Sequence, residues 1–210
     1  MKKWILLPLS AAFFLIGQTN KIDKPKLVVF ITVDQGTPSL LDKYDHLFIG
    51  GYRWLRDNGV QFKQAYHEHG YTATGPSHFA LSSGQHPGNG GVIGNQWFDR
   101  KLKRGWYCVE DTLSQVLIDG STGRSYRFVQ STTLGDWIKK DNPNSIVLSI
   151  AGKDRAAILH GGKNADITLW YDKQGGWTSS TYYVSKLPNW VNTFNKQLNV
   201  PSYIDSVWNP

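Results

Sequence analysis

Cysteine is almost absent. Cys108 is the only one in 210 residues, so no internal disulfide can form, and a lone thiol of this kind reads as buried and inert. Clustered basic tracts and nucleic-acid motifs are also missing, although Lys and Arg outnumber Asp and Glu by 23 to 16. The net charge of +7 is spread along the chain, which suits small anionic partners and argues against nucleic acid. Internal repeats and low-complexity blocks do not occur, which excludes solenoids and disordered tails. Only one apolar run exceeds strand length, and it lies at the start.

That run, MKKWILLPLSAAFFLIGQTN, has a Lys pair followed by apolar residues to about Gly17. It has the charged and apolar regions of a secretory signal peptide over residues 1–19, and it is short for a spanning helix. An uncleaved anchor is the alternative. No cysteine follows it to carry a lipid, so no membrane association is expected once the signal is removed. Its loss takes away Lys2 and Lys3 and lowers the formal charge from +7 to +5. The mature chain is therefore expected in the periplasm or outside the cell. With 40% hydrophobic residues, nine Trp and ten Tyr, it has material for a packed core, and those aromatics serve core packing or a binding surface equally well.

Residues 20–210 read as a single α/β unit. Leu27 to Val33 (LVVFITV) is apolar and β-branched, the mark of a strand buried on both faces in a parallel sheet, and it runs into Asp34. Helices are expected over Pro38 to Phe48 and Tyr52 to Asn58, the second stopping at Gly59. Val60 to Tyr66 reads as a strand. A short helix opens near Thr74 in GYTATGPSHF, with a Gly-rich loop behind it. A further helix is expected around Thr112 to Ile118, then Leu134 to Lys140, a strand at Ser145 to Ile150, and a helix near Trp190 to Gln197. Alternation of strand and helix predicts an open, mostly parallel sheet, in which ligands gather beyond the carboxyl ends of the strands. That rule picks out Asp34, the Thr74 loop and Lys153 to Arg155 together.

Each of these positions has two readings. Asp34, ending a strand, is either a helix N-cap or a hard ligand for a divalent metal. Thr74 lies near the start of a helix whose free N–H groups and dipole favour an alkoxide or a phosphate, but a simple cap explains the threonine too. Asn95 either donates its amide to a phosphoryl oxygen or closes a turn. Lys153 and Arg155, spaced as in an extended chain, would project to one side with Asp154 on the other. They are a dianion clamp or a solvated charged turn. His67 and His69 fit a polar strand end, and His78 fits a packing or hydrogen-bonding role.

Four motifs in order resemble the alkaline phosphatase superfamily: VVFITVDQG, TATGPSH with SSGQHPGNGGVIGN, SIAGKDRAAIL, and LWYDKQGGWTSSTYY with LPNWVNTFN. They look most like its branch of secreted bacterial phosphatases near the type I phosphodiesterases and nucleotide pyrophosphatases, the PafA-like alkaline phosphatases. The resemblance implies a three-layer α/β sandwich with a mostly parallel central sheet, incomplete in this chain. It implies two zinc ions, with Asp34 a ligand and Thr74 both the nucleophile and a bridge toward the metals. It further implies that Asn95, Lys153 and Arg155 bind the phosphoryl group. The implied reaction is hydrolysis of small phosphate monoesters through a phosphothreonine. The Lys-x-Arg pair favours a monoesterase over a phosphodiesterase, and Thr74 followed by Gly-Pro-Ser-His differs from the Cys/Ser-x-Pro-x-Arg setting of sulfatases. The family's remaining ligands, an Asp-x-x-x-His pair, an Asp-His pair and a later His, have no counterpart here. Asp42 and His46 have the spacing of the first pair but lie on the first helix. The chain is therefore expected to be the N-terminal part of a longer catalytic domain and inactive by itself. A non-catalytic anion- or partner-binding remnant is the alternative.

Overall fold

The computed structural model describes residues 24–198 and Val207, so the signal-peptide expectation lies outside the described residues. The chain divides into two units, Met1–Val33 and Asp34–Pro210. In the first, residues 27–33 form no strand, and Leu27, Val29, Ile31 and Val33 are exposed. The composition of this segment suits a central strand, but a strand exists only through a ladder, and residues 27–33 belong to none of the described strand pairs. The expected strand at Val60 to Tyr66 is irregular for the same reason.

The second unit begins with two short helices, α1 (Pro38–Lys43) and α2 (Gly51–Asn58), joined through a 3-10 turn at Asp45–Leu47. Thr37 caps α1, its hydroxyl accepting from the Leu40 amide at 3.4 Å, and Pro38 takes the first helical position. Neither helix buries a residue. A polar clasp holds them: Asp45 pairs with Arg56, and Arg53 donates to the Asp45 carbonyl at 2.7 Å.

The core is built around α3 (Thr74–Ser83) and α6 (Asp154–Gly161). Phe79, Ile158 and Leu159 are fully buried, each contributing about 1.5–3 kcal/mol by removal from water. Ser82 fastens the two helices by donating to the Leu159 carbonyl at 2.6 Å, and Ser149 donates to the Ala157 carbonyl at 2.6 Å. The short helix α4 (Pro87–Gly90) ends on Gly90, where a Cβ would lie 1.9 Å from the Phe79 ring. Part of the Gly-rich loop is thus explained by close packing against the core.

Two antiparallel hairpins follow. β1 (Gln96–Asp99) pairs with β2 (Arg104–Tyr107), and β3 (Glu110–Gln115) with β4 (Thr122–Arg124). The helix expected over Thr112 to Ile118 is therefore a strand. Its apolar residues fit either period, and pairing with β4 decides between them, with a register shift between Asp111 and Gln115. Helix α5 (Leu134–Asp141) comes next. Then β5 (Leu148–Ala151), α6 and β6 (Ile167–Asp172) make a parallel crossover unit, with Ser149 opposite Thr168. β7 (Gly176–Thr178) adds an antiparallel edge to β6, and α7 (Asn189–Gln197) lies where the sequence places it. The α/β class holds. Among the described residues, β5 with β6 is the one parallel strand pair. No described helix is long and apolar enough to cross a membrane.

Candidate active site

Three of the five candidate residues meet directly. The Lys153 ammonium lies 2.9 Å from Asp34 Oδ2, and the Thr74 hydroxyl donates to the same oxygen at 3.5 Å. Asp34 caps no helix, since that task falls to Thr37. The hydrogen bond from Lys153 holds the Asp34 carboxyl below its usual range, so the group is ionised at neutral pH.

Thr74 is the first residue of α3, one position inside the Ala73 N-cap, which has no side-chain bond to offer. Asn95 supplies the missing cap from the far end of the Gly-rich loop. Its Oδ1 accepts from the Gly75 amide at 2.7 Å, which leaves its Nδ2 face as the donor. Gly75 itself is hemmed in: an added Cβ would lie 3.1 Å from Asn95 Oδ1 and 3.3 Å from Cys108 Sγ. The expected set of free N–H groups at this helix start is largely used up. Gly75 donates to Asn95, Pro76 has no N–H, and Ser77 donates to the Ala73 carbonyl at 3.0 Å. An anion at Thr74 must therefore be held mainly by side chains.

Lys153 and Arg155 lie beyond the carboxyl end of β5, where the sheet rule puts a ligand site, but not in extended spacing. The helix begins at Asp154, with Lys153 as its N-cap. As a result Arg155 does not project beside Lys153 as an alternating partner. Its Nη1 donates to the Tyr107 hydroxyl at 2.8 Å, and that hydroxyl donates to Asp154 Oδ1 at 2.5 Å. Arg124 closes the network, its Nε donating to Asp154 Oδ2 at 2.9 Å. Burial pulls the Arg155 pKa down, but the hydrogen bond to Tyr107 and the nearby negative groups outweigh it, so the guanidinium stays charged. Arg155 Nε is buried and finds no acceptor among the described residues. Tyr107 and Arg124 were not legible as site residues, because nothing in GWYC or STGRS announces a partner dozens of residues away.

Cys108 is buried beneath the Thr74 turn, and desolvation pushes its thiol up to about 12, so it is inert as expected. His78 is buried against His160, with ring centroids 4.7 Å apart. His67, His69 and His86 stand in a row at 5.1 and 6.2 Å, and His69 Nε2 lies 3.2 Å from Ser77 Oγ.

The ionised Asp34 carboxylate is an oxygen donor of the kind a divalent ion takes, with the Thr74 hydroxyl beside it. Among the described residues, no three His, Cys, Asp or Glu side chains are grouped to hold such an ion.

Known proteins match this chain in sequence and fold. The model of the type I phosphodiesterase/nucleotide pyrophosphatase family matches residues 28–209. The chain is 34% identical over 218 residues to alkaline phosphatase PafA of Elizabethkingia meningoseptica, covering 99% of this chain and 39% of that protein. It is 38% identical over 176 residues to alkaline phosphatase PhoD of Zymomonas mobilis subsp. mobilis, covering 82% and 30%. It is 36% identical over 195 residues to alkaline phosphatase PhoV of Synechococcus elongatus, covering 90% and 35%. The crystal structure of wild-type PafA superimposes with a TM-score of 0.76 at 31% identity, over 80% of this chain and 34% of that one. A PafA variant with a threonine, an asparagine, a lysine and an arginine substituted gives a TM-score of 0.62 at 31% identity, over 66% and 28%. The chain thus spans about a third of the length of these relatives. It belongs to the type I phosphodiesterase/nucleotide pyrophosphatase family, among the PafA-like members of the alkaline phosphatase superfamily.

Proposed function

We propose that this chain carries the nucleophile and the phosphate-binding side chains of an exported phosphomonoesterase. Arg155 carries the reading: a charged guanidinium, pinned at one nitrogen and with a buried N–H that has no acceptor among the described residues, stands two positions from Lys153, whose ammonium meets Asp34 beside Thr74. A buried donor of this kind calls for a ligand acceptor, and a phosphoryl oxygen supplies one. The residue types substituted in the PafA variant, a threonine, an asparagine and a lysine and arginine two apart, are those of Thr74, Asn95, Lys153 and Arg155.

The Thr74 hydroxyl loses its proton to solvent and its oxygen attacks phosphorus in line, forming the Thr74 O–P bond as the ester P–O bond breaks, and the departing oxygen is protonated from solvent. Water then attacks the phosphothreonine, releasing phosphate and restoring Thr74. Lys153, Arg155 and the Asn95 amide hold the equatorial oxygens while charge spreads over them. Asp34 and Thr74 would hold part of a divalent metal site, zinc in this reading, whose chemistry is to acidify the hydroxyl and neutralise the attacking and leaving oxygens. The exported location rests on the N-terminal Lys-Lys and apolar run.

The test uses the full-length protein with a radiolabelled phosphomonoester and an acid quench. Wild type should yield labelled threonine, and Thr74→Ala should yield none while kcat falls by about 10⁴-fold or more. Retained activity with undiminished label in Thr74→Ala would refute the mechanism. The family description favours a second reading, a phosphodiesterase, in which a diester exceeds the matching monoester in kcat/KM. A binding remnant predicts that Thr74→Ala turns over no less than wild type.

A further inference from the structure

Tyr107 has a fixed hydrogen-bond polarity. Its one proton goes to Asp154 Oδ1, so its oxygen can only accept from Arg155 Nη1. Asp154 cannot turn away, because Oδ1 also accepts the Arg155 amide at 2.7 Å and Oδ2 takes Arg124 Nε. Arg124 is itself held by the carbonyls of Thr122 and Gly123 at 2.7 and 3.0 Å. The next residue, Cys108, packs under Gly75, and its amide donates to the Asn95 carbonyl at 3.0 Å. One dipeptide at the end of β2 therefore braces both sides of the site, with Cys108 beneath the Thr74 turn and Tyr107 against Arg155.

We propose that Tyr107 is the positioning residue for Arg155, and that by fixing the guanidinium it sets the preference for a dianionic monoester over a monoanionic diester. This rests on the phosphomonoesterase reading above. A flexible arginine loses rotamer entropy each time it meets a phosphate, whereas one held at Nη1 has lost it beforehand. A diester, with one negative oxygen fewer, gains less from that held charge.

The experiment measures kcat/KM for a phosphomonoester and the matching diester in the full-length protein, for wild type, Tyr107→Phe, Arg155→Ala and the double variant, with melting temperatures in parallel. Tyr107→Phe should lower monoester kcat/KM by about tenfold and shift the monoester-to-diester ratio by a similar factor. In the Arg155→Ala background it should add no more than about twofold. Asp154→Asn should shift the ratio in the same direction. An unchanged ratio, or losses that multiply in the double variant, would overturn the proposal, since a merely structural tyrosine affects both substrates alike. If Thr74→Ala retains activity, the phosphatase reading fails on its own. If Thr74 is essential and the ratio is unmoved, only the role of Tyr107 fails.

Discussion

Asp136 offers a perturbation whose size can be worked from the structure. Its carboxylate is buried and accepts five hydrogen bonds. Oδ2 takes the Thr133 amide at 3.0 Å, the Thr133 hydroxyl at 3.3 Å and the Lys163 amide at 3.3 Å. Oδ1 takes the Asn164 amide at 2.9 Å and Asn164 Nδ2 at 3.0 Å. One side chain thus caps α5 and ties it to the segment that leaves α6, the helix whose first turn carries Arg155. Asp136→Asn keeps the shape but replaces one acceptor oxygen with a donor. However the amide turns, its NH2 faces protein donors, and at least one buried backbone N–H loses its acceptor. An orphaned buried donor costs about 1–3 kcal/mol, and bonds to a neutral oxygen are weaker than those to a charged one. We expect a loss of about 3 kcal/mol, read as a lower urea midpoint of the full-length protein at neutral pH. Faster hydrogen exchange along α6 should accompany it. A loss below about 1 kcal/mol would refute the reasoning, because it would mean that the five bonds contribute no more than an ordinary surface contact.

Two further outcomes are expected. Burial, and then the neighbouring His78, pull the His160 pKa from 6.5 to about 4, so between those values the unfolded chain binds more protons than the folded one. Stability should therefore fall as pH drops from about 6.5 and level off below about 4, by about 3 kcal/mol across the window. His160→Gln should flatten that slope in pH-dependent urea unfolding. The Lys153–Asp34 pair has half-exposed side chains (51% and 42%), so it contributes less than about 1 kcal/mol to folding. Lys153→Met should leave the melting temperature nearly unchanged while kcat/KM for a phosphomonoester falls by about 10²-fold. A matching collapse of both would make Lys153 a structural residue.

Much of the second unit was legible in the sequence. Local signals fixed most of its helices: Pro38 after Thr37, the Asn142-Pro143 stop after α5, and the Gly-Pro pair opening α3. Such signals act through the nearest backbone groups, so they survive without knowledge of the rest of the chain. Asp34, Thr74 and Lys153 were singled out by their place at strand or helix ends, and those three do meet. Strand readings fared worse. Leu27 to Val33 and Val60 to Tyr66 have strand composition but no ladder among the described residues, while Glu110 to Gln115 became a strand only by finding β4. Pairing is a property of two segments, and one segment's residues cannot state it.

The sequence by itself determined the residue types available for chemistry and their order: a carboxylate, a threonine before Gly-Pro, an asparagine after glycines, and a lysine two before an arginine. Tertiary structure decided what each one touches. It gave Asn95 the capping of α3, turned Lys153 onto Asp34, and seated Arg155 on Tyr107. Those contacts join residues between 20 and 119 positions apart, and they are fixed by the packing of α6 against α3 and by the hairpins at its first turn, which no local spacing encodes.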